Sequence, residues 1–368
     1  MSRLRIGVIG AGMISQVEHI PNILHLPKFF ELIGVVDPSA VARGFIGERY
    51  GVATWDNAEQ LIQMKPDAVL IAAPDFWHAE LVLRALSLGL HVFCEKPLCY
   101  GPTEVETIRL ARDRAARVVQ VGYMKRFDPS YEAALELLPP GGKGLRYISV
   151  EVNDPDAWPF VAHHPHVRAT DLPASLIEEG RLRQQQQVAA AVGPTADTVI
   201  FRGFVSAYCS SLVHDVNAVH GMLDRMGVVD GEVCSGELFA SGDGGSGTVR
   251  LLGGQASWHM VHLTVPHLAD YRERIALYFD DWMLELIFPS PWLNHQPTEL
   301  LLHRSDGLAL TTSQVRVNFE EAYLRELEGF WSSIVNGAPV RNTVEQALRD
   351  QQLLCAMAER AMSVTRPA

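Results

Sequence analysis

Residues 5–15 read Arg-Ile-Gly-Val-Ile-Gly-Ala-Gly-Met-Ile-Ser, and their pattern decides the fold. Arg5–Ile9 is a short β-rich run that passes directly into Gly10-Ala11-Gly12, and a helical pattern extends from Met13 to about Leu24. Gly10 permits the tight turn, and Gly12 lets backbone approach a pyrophosphate seated on the helix N-terminus. Ser15 stands where a third glycine is usual and is small enough for close helix–strand packing. Asp37 ends the next β-rich run, Leu32–Asp37. A carboxylate there accepts hydrogen bonds from an adenine-side ribose and repels a 2′-phosphate, which favours NAD, with NADP open because Arg43 is near. Met13 and Ile14 complete the turn and join Gly10, Gly12 and Asp37 as candidate cofactor contacts.

Outward from this motif, β-rich runs at Ala68–Ala72, His91–Cys94 and Val118–Val121 alternate with helical patterns at Phe76–Leu88 and Pro102–Ala115. Thr103 with Glu106 three residues on has the form of a capping box. Strand and helix in alternation imply a doubly wound parallel sheet. After about Arg126 the pattern changes. A helix at Asp128–Leu137 is followed by strand-like runs at Arg146–Val152, Glu232–Ala240, Ala256–Leu263, Arg274–Phe279 and Met283–Phe288. Helical stretches at Ser210–Leu223, Glu320–Val335 and Thr343–Ser363 accompany them. The expected fold is therefore α/β: an N-terminal domain over 1–125, and over 126–368 an α+β domain with a large open mixed or antiparallel sheet. Residues 160–197, with His163-His164-Pro165-His166 and the run Gln184–Gln187, read as an inserted helix or lid.

The 368 residues, 48% hydrophobic and 20% charged, suffice for two domains with real cores. A net charge of −12 argues against a bulk grip on nucleic acid or anionic membrane, and no run of 18 apolar residues reads as a membrane span. Five cysteines without a CxxC suggest neither zinc nor a disulfide framework, but reduced thiols in a cytoplasm. The glycines and early polar residues of the N-terminus read as a first strand, not a signal peptide. The three clustered histidines lack a ligand pattern of known geometry, so no metal is expected.

Phe93-Cys94-Glu95-Lys96-Pro97-Leu98 places a lysine at the end of another strand, the edge where α/β proteins bind ligands. At this point the chain resembles the Gfo/Idh/MocA oxidoreductases (glucose–fructose oxidoreductase, inositol dehydrogenase). The resemblance is carried by GVIGAGMIS at 7–15, VVD at 35–37, IAAPDFWHAE at 71–80, EKPL at 95–98 and QVGYMKRFDPSY at 120–131. It implies a Rossmann first domain and adds Pro74, His78, Glu95, Lys96 and Pro97 to the cofactor contacts. Lys96, Tyr123, Arg126 and His214 are the implied substrate contacts.

The helix motif Ser211–His220 resembles the family's active-site helix and puts His214 at its proton-exchange position. Inositol dehydrogenase-like members carry an Asp one turn earlier, where this chain has Ser210. Asp215 or the insert is the substitute carboxylate to consider, so Lys96, His214 and Asp215 are the catalytic candidates. The implied reaction moves hydride between nicotinamide and a secondary alcohol or ketone of a sugar, sugar acid or cyclic polyol. The proton goes to His214 or to Lys96, which would also stabilise alkoxide charge. An NAD-dependent glycoside hydrolase of the same fold and a non-catalytic dinucleotide-sensing regulator are the alternatives. Homodimers or homotetramers through the C-terminal sheet are the implied assembly.

Overall fold

The computed structural model describes residues 2–193 and 198–364, so residues 194–197 of the insert and the last four of the chain lie outside the described residues. Two compact units emerge. The first combines residues 1–123, 163–191 and 323–348; the second combines 124–162, 192–322 and 349–368.

The first unit holds six strands: β1 (Leu4–Ile9), β2 (Phe30–Val36), β3 (Thr54–Trp55), β4 (Ala68–Ile71), β5 (His91–Glu95) and β6 (Val119–Gly122). Their order is β3-β2-β1-β4-β5-β6, and every pairing is parallel. Helices cover both faces of such a sheet, so its central strands are largely apolar; all four residues of β4, Ala-Val-Leu-Ile, are buried. Gly34 in β2 leaves room for the Trp55 ring, which a Cβ there would overlap. Leu327, Phe330 and Trp331, from the helix Ala322–Val335, complete the core against Phe93 and Phe30. Trp331 Nε1 also donates to the Ser2 carbonyl at 2.9 Å. Pro102–Ala115 is helical as expected, but Gly101 is its N-cap and Pro102 its first residue. Thr103 therefore forms no capping box; Glu106 pairs with Arg109 instead.

The second unit is built on eight strands: β7 (Tyr147–Asn153), β8 (Glu232–Leu238), β9 (Gly244–Leu251), β10 (Ala256–Leu263), β11 (Arg272–Tyr278), β12 (Trp282–Phe288), β13 (Glu299–Ser305) and β14 (Leu310–Val315). The order is β14-β13-β12-β11-β7-β10-β9-β8, parallel only between β7 and β10. Alternation marks its faces: Ala256, Trp258, Met260 and His262 of β10 are buried, and the residues between them are half-buried or exposed. The helix Val213–Met226 is buried along most of its length, as a helix on the inner face of a sheet must be.

The doubly wound sheet and the mixed sheet agree with the sequence reading. The segmentation does not follow the boundary at 125/126. Residues 163–191 pack with the first unit through the helix Ala174–Val192, whose Arg183 lies 3.8 Å from the Trp77 ring centroid. Gly180 of that helix admits the edge of Phe76, and Gln184 donates to Tyr100 Oη at 2.6 Å. Residues 323–348 return to the first unit because their aromatic face finishes its core.

Candidate active site

In a parallel sheet the carboxyl ends of all strands share one edge, and in the first unit the candidate residues gather there. The loop after β1 comes first. Gly10 adopts φ +102°, and a Cβ would fall 2.4 Å from the Ala72 carbonyl oxygen, so this position needs glycine for both conformation and space. Gly12 differs: it is exposed and a Cβ there would meet no atom within 4 Å, so nothing in the chain itself requires the glycine. That clear space over the loop is what a phosphate approaching the backbone requires. Ser15 is fully buried and donates from Oγ to the Gly10 carbonyl at 2.6 Å, closing the turn with a hydroxyl. The expected helix from Met13 is present, but Ser15–His19 is a wide π turn before the α-helix Ile20–His25.

Asp37, directly after β2, accepts from the Ala11 N–H at Oδ2 and from the Ser39 N–H at Oδ1, both at 2.8 Å. These bonds fix the carboxylate against the glycine loop, and its remaining lone pairs can serve ribose hydroxyls. Arg43 donates to the carbonyls of Asp37 and Pro38 at 2.6 and 2.9 Å and thereby shapes the loop.

At the end of β5, Lys96 is half-buried and its bond to Pro97 is cis. Glu95 is buried and turned inward: Oε1 lies 2.8 Å from His19 Nε2, and Oε2 accepts the Lys96 N–H at 3.1 Å. Burial pushes its acidity down, but the His19 hydrogen bond and the charges of His19 and Lys96 outweigh that and lower its pKa. Glu95, assigned to the cofactor from sequence, thus has internal partners and holds the backbone beneath Lys96. His78 is similar. Its ring is buried, with Nδ1 2.8 Å from the Pro97 carbonyl and Nε2 2.9 Å from the Ala73 carbonyl. It ties the exposed Pro74 turn to the Lys96–Pro97 turn, with both ring nitrogens facing backbone. Tyr123 is buried in this unit, and its carbonyl accepts from Asn342 Nδ2 at 2.9 Å.

In the second unit His214 is half-buried on the first turn of the helix Val213–Met226. Asp215 beside it is fully buried and bonded to Lys125 Nζ at 3.0 Å. The same ammonium also bonds Glu273, whose Oε2 accepts from Tyr271 Oη at 2.8 Å. Burial raises the Asp215 pKa well above the carboxylate range, and the Glu273 charge raises it further. Asp215, the substitute carboxylate considered from sequence, is therefore a member of an internal ionic cluster. Lys125 pays a burial penalty, but the charges of Asp215 and Glu273 reverse it and keep the ammonium protonated. Arg126, assigned to substrate, is buried and donates from Nη1 to the Asn217 carbonyl at 3.0 Å. Sequence reasoning missed Glu273. Its signal was a carboxylate at an inward register position of Arg-Glu-Arg-Ile-Ala-Leu-Tyr, in line with the buried Ile275 and Leu277.

Among the described residues no group of three or more His, Cys, Asp or Glu side chains is arranged to hold a metal, and no helix is long and apolar enough to cross a membrane. His163 and His164 lie against one another, with ring centroids 3.9 Å apart.

The strand order, the glycine turn and the carboxylate after β2 define a dinucleotide-binding Rossmann unit. Residues 4–123 match the model of the Gfo/Idh/MocA oxidoreductase family with an NAD-binding Rossmann fold. Inositol 2-dehydrogenase 3 of Saccharopolyspora erythraea is 38% identical over 146 residues, which are 38% of this chain and 42% of that one. D-glucoside 3-dehydrogenase of Escherichia coli is 29% identical over 150 residues, 40% and 42% of the two chains. The chain thus matches less than half the length of these curated relatives. Over nearly its whole length it shares the fold of a 3-ketoreductase from Actinomadura kijaniata, solved in complex with NADP and TDP-benzene. There the TM-score is 0.73 at 18% identity, covering 98% of each chain. A UDP-N-acetylglucosamine 3-dehydrogenase from Acidithiobacillus ferrooxidans gives a TM-score of 0.69, also at 18% identity, covering 98% of this chain and 97% of that one.

Proposed function

We propose that this chain is an NAD-dependent dehydrogenase that moves hydride between a nicotinamide and a secondary alcohol or ketone of a cyclic polyol, sugar or sugar acid. One observation carries the reading. The glycine turn, the Asp37 carboxylate and the Lys96 ammonium all stand at the carboxyl edge of one parallel sheet, so a cation is offered where a bound dinucleotide would present its reactive ring. The polyol and glucoside dehydrogenases that match the first unit support the substrate class.

When bound, the dinucleotide supplies the hydride acceptor. The chain does the rest. Gly10, Gly12, Met13 and Ile14 present backbone to the pyrophosphate, Asp37 takes the ribose hydroxyls, and Pro74 and Pro97 border the ring end. Lys96 hydrogen-bonds the reacting oxygen and stabilises its charge as the proton leaves. Lys96 and His214 are the two groups assigned to carry that proton. Self-association through the exposed face of the eight-stranded sheet, which carries Tyr147, His259 and Tyr278, is part of the proposal, as is a cytoplasmic setting suited to the free thiols.

The test is a screen at 340 nm of the full chain with NAD or NADP against inositols, aldoses, ketoses and sugar acids, repeated with Lys96→Ala. NADH formation with one polyol or sugar class, reduced by about a thousandfold in Lys96→Ala while NAD still binds, is the expected result. Tightly held NAD with no net NADH formation on any substrate would replace this reading by the cofactor-recycling hydrolase or the sensor.

A further inference from the structure

The segment between the second unit's first strand and the helix Ala174–Val192 makes two contacts at the carboxyl edge of the first unit's sheet. Gln16, buried beside the glycine loop, pins it: Gln16 Oε1 accepts from the Val167 N–H at 2.8 Å, and Gln16 Nε2 donates to the Val167 carbonyl at 3.1 Å. Gln16 Nε2 also reaches the Ala11 carbonyl at 2.6 Å, so segment and loop are held by one amide. Four residues further on, the Asp171 carboxylate sits on the start of the helix Ala40–Tyr50. It accepts from Ser39 Oγ at 2.5 Å, from the Ala40 N–H at 2.7 Å and from the Val41 N–H at 3.1 Å.

The position of that carboxylate is informative. Asp37, two residues before Ser39, is placed to hold the adenine-side ribose, so the donors that follow it lie where a ribose 2′ substituent points. A serine hydroxyl, two N–H groups at a helix start and the nearby Arg43 guanidinium are the chemistry that a 2′-phosphate uses. Here a carboxylate of the chain's own takes the three donors, and Asp37 adds a second negative charge. A 2′-phosphate must displace Asp171 and then remain beside it, whereas a neutral 2′-hydroxyl meets no such repulsion.

Resting on the reading of this unit as a dinucleotide site, we propose that Asp171 is a cofactor-selecting residue. It occupies the anion cradle at Ser39–Val41 and makes the chain choose NAD over NADP. The Ser39 hydroxyl hydrogen bond keeps the Asp171 carboxyl below its ordinary pKa, so the charge is present throughout the neutral range.

The experiment separates the adenosine half from turnover. Binding of adenosine 2′,5′-bisphosphate and of 5′-AMP to the full chain is measured by titration calorimetry for the wild type, Asp171→Asn, Asp171→Ala and the double variant Ser39→Ala/Asp171→Asn. Removing the charge raises the bisphosphate-to-AMP affinity ratio by about tenfold. Ser39→Ala in that background takes back most of the gain, because phosphate and carboxylate need the same hydroxyl. An unchanged ratio in both Asp171 variants, with AMP still bound, overturns the proposal alone. A wild type that binds neither nucleotide overturns the dinucleotide reading and the proposal with it.

Discussion

At Lys125 one buried ammonium faces two buried carboxylates, and burial with the Glu273 charge raises the Asp215 pKa well above its ordinary value. Of the two carboxylates, Asp215 is the one whose charge the site disfavours. Asp215→Asn resembles the protonated group and costs about 1 kcal/mol or less, whereas Glu273→Gln strands the ammonium and costs about 3 kcal/mol or more. Urea denaturation of the two variants measures this, and equal losses would sink the assignment. The cluster also shows where sequence stops. Asp215 is a catalytic candidate in the sequence as a substitute for the acidic residue that Ser210 replaces. What buries it comes from Lys125 and Glu273, distant in sequence, and no local motif marks that meeting. Lys96, Gly10 and Asp37 were legible because their positions follow from a local strand–turn pattern.

Among elements, the approach of the last helix to the second sheet depends on two glycines that are register partners, Gly236 of β8 and Gly247 of β9. A Cβ on Gly236 would fall within 2 Å of the Met357 carbonyl oxygen; one on Gly247 would meet only the end of the Met357 side chain, 2.2 Å from Cε. Backbone of a buried helix cannot yield as a thioether can. Gly236→Ala should therefore lose about 3 kcal/mol and Gly247→Ala about 1 kcal/mol, read as midpoint shifts in thermal or urea unfolding. The reverse ranking would mean that the helix is not seated in this trough. The sheet itself was readable from alternation in β7, β10, β11 and β12. The edge strand β8 falls within the expected run Glu232–Ala240, but β9 reads Gly-Gly-Ser-Gly-Thr-Val-Arg-Leu and β14 is largely exposed, so neither of these carries the apolar alternation that marks a strand.

For the molecule as a whole, one control of acid stability is a buried histidine. His262 is buried on the inner face, and neither ring nitrogen has a hydrogen-bond partner among the described residues. Burial lowers its pKa to about 4, against an opposing pull from Glu273. A depressed histidine pKa means that the unfolded chain binds the proton more readily. Stability therefore falls as pH drops from about 6.5 toward 4, by at most about 3 kcal/mol from this group. His262→Leu should flatten that part of the curve relative to wild type, and parallel curves for the two would remove His262 from the account. Domain order was also only half legible at this scale. Two classes of sheet follow from the change of period near residue 126, but the aromatic residues that finish the first core lie two hundred residues beyond it. That interleaving has a consequence during synthesis. A ribosome releasing the first 123 residues has made every strand of the six-stranded sheet, yet Phe330 and Trp331 are still unmade. The nascent sheet must wait with part of its apolar interior uncovered, and chaperone occupancy should persist until translation passes residue 348.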